Sequence, residues 1–247
     1  MQFRVLTYNI HRAIGVDRLF RPDRVAGIID HYAPDVALLQ EVDDGVPRSR
    51  ELNLAAELAE RLHFEHYVLG RNVTLRKGMY GNATLSRFPI TRERNIDLTI
   101  GGRKRRGCQH TTLDVPLGDG TCRDVEVFNL HLGLSARERD KQAGILVRSN
   151  EFPGLGVGPP CVVGGDFNDW RSRLQPIFVQ VFRFESATEG RSRWSRPIKT
   201  YPSLSPRGPL DRIYYRGLGL VRARRCRLAL SKMASDHLPI IADFQLS

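Results

Sequence analysis

The sequence predicts an α/β domain built around mixed β-sheet. Strand-like and helix-like segments alternate in the first half of the chain, which is typical of layered α/β folds. Several strand-like segments follow one another directly in the second half, so some neighbouring strands should be antiparallel. With 247 residues, 41% of them hydrophobic, and no linker-like segment, the chain fits one large domain that spans residues 1–247.

The first half of the chain contains two amphipathic helix patterns between strand patterns. Residues 3–8 alternate in polarity, and 35–40 contain an apolar run that is typical of a strand buried on both faces. Pro22 begins one predicted helix, which Pro34 ends. Leucines at i, i+4 and i+8 predict a second helix over 51–63. Further strands are predicted at 66–69, 82–86 and 110–115.

The second half combines one long helix with five strand patterns. Ser135 and Glu138 form a capping box, which predicts a helix over 136–149. Residues 186–209 are rich in Ser, Arg and Pro and predict a long loop. The remaining predicted elements are strands at 125–130, 161–165, 212–215, 219–228 and 239–245, and a short helix at 174–182.

The charge balance favours an anionic partner. The chain carries 38 Lys and Arg against 27 Asp and Glu, which gives a formal net charge of +11 at pH 7. Only five of the 38 basic residues are Lys. Such a bias can reflect genomic base composition, although Arg is also the better residue for forked contacts with phosphate.

The cysteines and the first residues of the chain indicate the cellular compartment in which the protein is expected. The four cysteines are widely spaced and form no Cys-x-x-Cys pair, which argues against a zinc site or a disulfide framework. Free thiols in a reducing compartment are the simplest interpretation. The chain opens directly on a strand pattern, without a signal-peptide core, and contains no apolar stretch long enough to span a membrane. We therefore expect a soluble, cytoplasmic monomer.

Polar residues appear repeatedly where predicted strands end. The clearest case is 161–169, in which an apolar strand leads into two glycines, Asp166 and Asn168, with both polar side chains on one side. Considered singly, each such residue is an ordinary turn or cap residue. Six independent turns would not be expected to place these residue types at successive strand ends. The residues are Asn9, Glu41, His131, Asp166 with Asn168, Asp211, and Asp236 with His237.

The chemistry of this set favours a hard divalent cation. Ligand sites in open α/β sheets gather at strand ends. Carboxylate and carboxamide oxygens with a few histidines, and without cysteine, suit Mg²⁺ or Mn²⁺ better than zinc. The sequence therefore predicts a Mg²⁺ or Mn²⁺ site.

The order of the motifs resembles the endonuclease/exonuclease/phosphatase superfamily, in its deoxyribonuclease-I-like and neutral-sphingomyelinase-like branch. The motifs are specific as a set, and the resemblance extends from residue 3 to 245. It implies a deoxyribonuclease-I-like fold, a four-layer α/β/β/α sandwich of two mixed β-sheets flanked by helices, with the active site at one rim. The matching segments are 7–11, 39–42, 81–86, 129–132, 164–168, 211–213 and 235–239.

The resemblance also implies roles for the metal and phosphate ligands. Glu41 would be the principal metal ligand, with Asn9 beside it. Asp166 would orient or deprotonate the attacking water, and Asn168 would hold a non-bridging oxygen. Arg106 is similar to a basic residue that faces the phosphate in some branches, whereas 103–105 are expected to form a solvated charge run.

The remaining implied roles concern the histidines and one asparagine. His237 resembles the active-site histidine of the family, and its carboxylate partner could be Asp236 or Asp211. His131 resembles the histidine of the deoxyribonuclease and sphingomyelinase branches, where it would stabilise charge or protonate the leaving oxygen. Asn82 lies in a matching Gly-Asn-Ala segment and is assigned to phosphate binding.

The resemblance implies a metal-dependent hydrolase of phosphate esters, and three functions compete. A nuclease-type phosphodiesterase is favoured, because phosphate contacts dominate nucleic-acid affinity and the chain is strongly basic. A phospholipid head-group phosphodiesterase, like the sphingomyelinases, is the alternative, although no amphipathic anchor stands out. A catalytically inert nucleic-acid-binding module on the same scaffold is the third, and the complete set of site residues argues against it.

Overall fold

The computed structural model describes residues 1–149, 159–189 and 196–247. Within these ranges two six-stranded mixed sheets stack face to face, with helices on both outer sides. The predicted four-layer α/β/β/α sandwich is therefore confirmed. The helices among the described residues are too short or too polar to cross a membrane.

The first sheet joins both ends of the chain. Its strands are β1 (Gln2–Asn9), β2 (Val36–Asp44), β3 (His66–Thr74), β4 (Met79–Ser86), β11 (Gly219–Arg225) and β12 (Ile240–Gln245). They lie in the order β11-β12-β1-β2-β4-β3. β1 is parallel to β2, and the other pairs are antiparallel.

The second sheet comes from the middle of the chain. Its strands are β5 (Ile90–Asp97), β6 (Gly107–Pro116), β7 (Cys122–His131), β8 (Cys161–Asp166), β9 (Glu185–Ser186) and β10 (Asp211–Arg216). They lie in the order β5-β6-β7-β8-β10-β9. β7 is parallel to β8, as β1 is to β2 in the first sheet, and the other pairs are antiparallel.

Alternation along the strands divides the core into three layers. Val5 of β1 packs between the two sheets, where it belongs to a cluster with Val127 and Ile213. The next residue, Leu6, faces outward toward α1 (Pro22–Tyr32) and α2 (Leu54–Arg61). On the far side, the outer face of the second sheet packs against α3 (Ala136–Arg148) and a π-helical turn at Ile177–Val181. A short helix, α4, covers Ser231–Ala234.

Several predicted elements differ from the observed ones. The strand β5 was not predicted because its side chains are mostly exposed and charged, as is common on a sheet edge. The helix predicted over 51–63 begins at Leu54, since Asn53 caps it by accepting a hydrogen bond from the Ala56 amide. The predicted loop 186–209 contains a bridge between Tyr201 and Gly208, and its residues 190–195 lie outside the described part of the chain.

Gly165 provides a test of the close approach between β7 and β8. Its φ is +147°, and a Cβ added there would lie 1.9 Å from the carbonyl oxygen of Leu130. We expect Gly165→Ala to lower the free energy of unfolding by about 3 kcal/mol or more, measured by urea denaturation. Gly102→Ala is the control because nothing lies within 4 Å of its added Cβ. Equal midpoints for the two variants would contradict the expectation.

Candidate active site

The strand directions bring the predicted site residues to one rim of the sandwich. The parallel pair β1 and β2 places Asn9 beside Gln40, so that Glu41 lies at the same end of the first sheet. The parallel pair β7 and β8 places His131 opposite Asp166 in the second sheet. Because β10 and β12 run antiparallel to these strands, their beginnings lie at this rim. Asp211 therefore pairs with Asp166, and His237 precedes β12.

A cleft of about 250 Å³ opens at this rim. Side chains from both sheets line it, so the site depends on how the sheets are held together. Asn129 provides one such link, since its Nδ2 donates to the carbonyls of Leu39 and Ala83 in the first sheet. The predicted residues that line the cleft are Asn9, Glu41, Arg106, His131, Asp166, Asn168, Asp236 and His237.

Asp166 is the central group of the cleft. Its Oδ2 accepts a hydrogen bond of 3.1 Å from Asn9 Nδ2 and lies 3.4 Å from His131 Nε2 and 3.8 Å from His237 Nε2. Its Oδ1 accepts a hydrogen bond of 2.9 Å from the amide of Asn168. The carboxylate is thus fixed in position, with two imidazole rings facing one of its oxygens.

The carboxylate partner of His237 is Asp211. His237 Nδ1 lies 2.8 Å from Asp211 Oδ2, which also accepts a hydrogen bond of 2.5 Å from the hydroxyl of Thr200. The alternative partner, Asp236, lines the cleft, but its carboxylate bonds the Ser235 hydroxyl at 3.4 Å. Of the two partners that the sequence left open, the structure therefore pairs His237 with Asp211 and not with its neighbour Asp236.

Three of the buried titratable groups in the site, Asp166, His237 and His131, have displaced pKa values. Burial raises the pKa of Asp166 to about 6, with His237 opposing the shift and Asp211 adding to it. Burial on its own would lower the pKa of His237, but Asp211 and Asp166 outweigh it and raise the pKa to about 10. Burial and the cations of Arg106 and His237 hold the pKa of His131 well below its usual value. At neutral pH, His237 is therefore charged and His131 is neutral.

Glu41 lies at an irregularity in β2. Leu39 pairs with Ala83 and Val42 with Gly81, so two residues of β2 oppose the single residue Asn82. This bulge gives Glu41 a φ of +56°, a conformation that bulky residues rarely adopt outside functional sites. The sequence placed Glu41 just past the end of a strand; in the structure β2 continues beyond it to Asp44.

The residues predicted to hold a metal fit a hard cation. Glu41 Oε2 is buried, has no hydrogen-bond partner in the described part of the chain, and lies 3.3 Å from Arg12 Nε. Asn9 Oδ1 accepts one hydrogen bond, from the amide of His11, and keeps a second lone pair. A carboxylate and a carboxamide oxygen that face one cleft are the donors that Mg²⁺ prefers.

A second group of potential ligands lies deeper in the site. One ligand atom from each of Asp166, Asp211 and His237 falls within 4.8 Å of the others. These groups already satisfy one another, since the charged ring of His237 bonds one carboxylate and lies near the other. A protonated imidazole has no lone pair for a metal, so this arrangement fits an Asp–His pair better than a cation site.

The two predicted phosphate ligands differ in what their side chains can donate. Arg106 is buried and lines the cleft, and its Nε has no hydrogen-bond partner among the described residues. Asn82 Nδ2 instead donates to the carbonyl oxygens of Gly107 and Asn129, both at 3.1 Å. Both of its N–H groups are therefore occupied, and Asn82 is placed to hold β6 and β7 against β4.

Loops contribute further residues to the cleft wall: sequence reasoning assigned no role to Lys104 and Leu134, whereas it offered Trp170 as a residue that could stack on a base or border a lipid head group. Lys104 belongs to the exposed basic run, yet it lines the cleft with its ammonium 5.2 Å from the centre of the Tyr80 ring. Trp170, which is 50% exposed, meets Tyr201 edge to face at 5.7 Å. Leu134 is 75% exposed. These residues lie in loops, where no hydrophobic period marks which side chains meet.

Comparisons with known proteins agree with this architecture. The model of the Endonuclease/Exonuclease/phosphatase family matches residues 6–237. Uncharacterized protein YbhP of Escherichia coli (strain K12) is 31% identical over 255 residues, which cover 99% of this chain and 96% of that protein. An endonuclease/exonuclease/phosphatase from Beutenbergia cavernae has a TM-score of 0.77 and 24% identity, covering 100% of this chain and 72% of that one. The human Nocturnin catalytic domain with bound sulfate has a TM-score of 0.74 and 24% identity, covering 100% and 95%.

Proposed function

The chain belongs to the Endonuclease/Exonuclease/phosphatase family, and from this membership and the geometry of the cleft we propose that it is a divalent-metal-dependent phosphodiesterase of the nuclease type. The observation that carries the proposal is the position of Asp166, held by Asn9 and facing His131 and His237 within 3.8 Å. Such a fixed carboxylate, with charged and neutral imidazoles beside it, fits hydrolysis by an activated water.

The proposed roles follow from the charge states. Asp166 accepts the proton of the attacking water, which its pKa of about 6 allows near neutral pH. His237, kept charged by Asp211, donates a hydrogen bond to the phosphoryl group and offsets its negative charge. His131 is neutral, so its ring N–H donates a hydrogen bond that stabilises the charge developing on the leaving oxygen, and it transfers no proton. Asn168 and Arg106, which both line the cleft, hold non-bridging oxygens.

Glu41 and Asn9 would hold the divalent cation at the edge of this site. When bound, the cation supplies polarisation of a phosphoryl oxygen and compensates charge on the leaving group. Arg12, beside Glu41, adds a fixed positive charge to the same region.

An aromatic residue of the cleft wall favours a nucleic-acid substrate. Trp170 is held by Tyr201 and by Gly208, where an added Cβ would lie 2.7 Å from the indole ring. Its position is therefore fixed while half of its surface is open to solvent. A fixed aromatic surface beside a phosphate site suits the stacking of a nucleobase.

The experiment is a substrate panel in Mg²⁺ and in Mn²⁺. It contains a chromogenic phosphate bis-ester, plasmid, single-stranded DNA, RNA, sphingomyelin and inositol phosphates. Cleavage of nucleic acid without lipid turnover is the expected result. Turnover of sphingomyelin alone would favour the phospholipid alternative, and metal-independent binding of nucleic acid with no turnover would favour an inert module.

Glu41→Ala tests the metal assignment. We expect Mg²⁺ or Mn²⁺ to raise the Tm of the wild-type protein, because a ligand that binds only the folded state stabilises it. The variant should lose this rise, together with metal-dependent hydrolysis. Glu93→Ala, on the exposed edge strand β5, is the control and should retain both. If the rise in Tm survives in Glu41→Ala, the cation is bound elsewhere.

A further inference from the structure

A groove of about 470 Å³ lies between residues 196–199 and the end of β11. Five of the eight described residues that line it are basic, and none of the eight is acidic. We call it the basic groove. Its basic residues are Arg196, Lys199, Arg224, Arg225 and Arg227.

Most of this positive charge is not neutralised. Arg224 forms an ion pair of 2.8 Å with Asp243, which Arg4 shares. Arg225 donates to the carbonyl oxygen of Lys199 at 3.0 Å, which joins the two walls but leaves the charge uncompensated. Within the described ranges, the basic residues without an ion pair to a carboxylate are Arg196, Lys199, Arg225 and Arg227.

The basic groove lies next to the catalytic cleft along both of its walls. On one wall, Lys199 is two residues from Tyr201, whose ring centre is 4.9 Å from that of His237. The backbones of Lys199 and Tyr201 are therefore at most about 7 Å apart, the length of two extended residues. On the other wall, the amide of Cys226 donates to the carbonyl oxygen of Pro239, two residues beyond His237. An extended ligand in the cleft can therefore continue into the groove.

We propose that the basic groove binds the sugar–phosphate backbone of a nucleic-acid strand whose scissile phosphodiester lies in the cleft. The identification of that strand as substrate rests on the proposed function. Guanidinium groups form forked, charge-assisted hydrogen bonds with phosphate, and a row of them follows a polyanion. A bilayer would need an inserted apolar face beside the basic residues. The apolar lining residues here are Pro197, Ile198 and Ala223, all only partly exposed.

The test compares two triple variants that remove the same charge. The groove variant is Arg196→Gln/Lys199→Gln/Arg227→Gln, whose side chains form no hydrogen bond or ion pair within the described ranges. The control is Arg92→Gln/Arg123→Gln/Arg148→Gln, three exposed residues; the first two lie on β5 and β7 away from the rim, and Arg148 is the last residue of α3. Binding of a labelled single-stranded oligonucleotide is measured by fluorescence anisotropy in EDTA at several salt concentrations. Hydrolysis of the chromogenic bis-ester is measured separately, with metal.

We expect the groove variant to bind the oligonucleotide about 10- to 100-fold more weakly at ~0.1 M salt, with a salt slope smaller by about 2, as three lost phosphate contacts imply. The control should change affinity less than about threefold, and both variants should hydrolyse the bis-ester like the wild type. Equal weakening in both variants, or none in the groove variant, would overturn the inference. So would binding of anionic vesicles, but not of oligonucleotide, through the groove.

The outcomes separate this inference from the proposed function. A wild-type protein that hydrolyses the bis-ester but binds no oligonucleotide would overturn the groove assignment and leave the phosphodiesterase intact. A protein that binds oligonucleotide through the groove but hydrolyses no phosphodiester would support the groove and overturn the catalytic proposal.

Discussion

Asp166→Asn should lower kcat for phosphodiester hydrolysis by about 10²–10⁴-fold, the usual effect of losing a general base. The variant keeps the shape of the side chain and one oxygen, which can still accept the hydrogen bond from the Asn168 amide, whereas the bond from Asn9 loses its acceptor. It loses the ability to remove a proton from water, which is the one step proposed for Asp166. The measurement is steady-state kinetics with the chromogenic bis-ester at saturating Mg²⁺.

The pH dependence gives this prediction a second readout. A general base must be deprotonated to act, so kcat/KM of the wild type should rise with pH through about 6, the pKa of Asp166. A cation bound at Glu41 and Asn9 would favour the deprotonated form of Asp166 and shift this rising limb of the pH profile to lower pH. The rising limb should be absent from the pH profile of Asp166→Asn. Residual activity above about one tenth of the wild type, with the limb unchanged, would assign the base to another residue.

Folding of the variant can be checked independently. The pKa of Asp166 is raised on folding, so the carboxylate destabilises the folded state above about pH 6. Replacing it with a neutral amide should therefore leave the protein at least as stable at pH 7, measured by urea denaturation. The exposed Asp140 on α3 provides the matched control, since Asp140→Asn should alter neither activity nor stability.

The convergence of the site residues could be predicted from the sequence, because apolar runs mark the strands and the polar residues stand where those runs end. Parallel pairing of β1 with β2 and of β7 with β8 then places Asn9, Glu41, His131 and Asp166 at one rim. The bulge at Glu41 left no trace in the polarity pattern, since it depends on the register between β2 and β4. For the same reason the sequence placed the end of this strand too early.

The contacts between loops could not be predicted. Asp211 and Asp236 both stand near strands in the sequence, and only the antiparallel pairing of β10 with β8 brings Asp211 to His237. The basic groove joins the segment 196–199 to β11, which no local pattern connects. The edge strand β5 is held by backbone pairing with β6, whereas its side chains are mostly exposed and give no alternating pattern that would predict a strand.

Asp211→Asn should reduce activity by about 10²-fold near pH 7.5 because it discharges His237. In the wild type, Asp211 is the leading influence that raises the pKa of His237, and burial opposes it. Without the Asp211 carboxylate, burial is opposed chiefly by Asp166, so the pKa of the ring should fall. The variant should therefore lose activity at a lower pH than the wild type, in which His237 stays charged up to about pH 10.

Asp236→Asn is the matched control for this prediction. Asp236 lines the same cleft and carries the same charge, but its carboxylate does not bond the ring of His237. Its influence on the pKa of His237 is also weaker than that of Asp211 or Asp166. The loss of activity in Asp236→Asn should therefore be at least tenfold smaller than the loss in Asp211→Asn. A tenfold difference corresponds to ~1.4 kcal/mol in the interaction with the charged ring. A larger loss in Asp236→Asn than in Asp211→Asn would mean that the charge of His237 is held from the cleft side, and that the buried Asp211 serves only to bind Thr200.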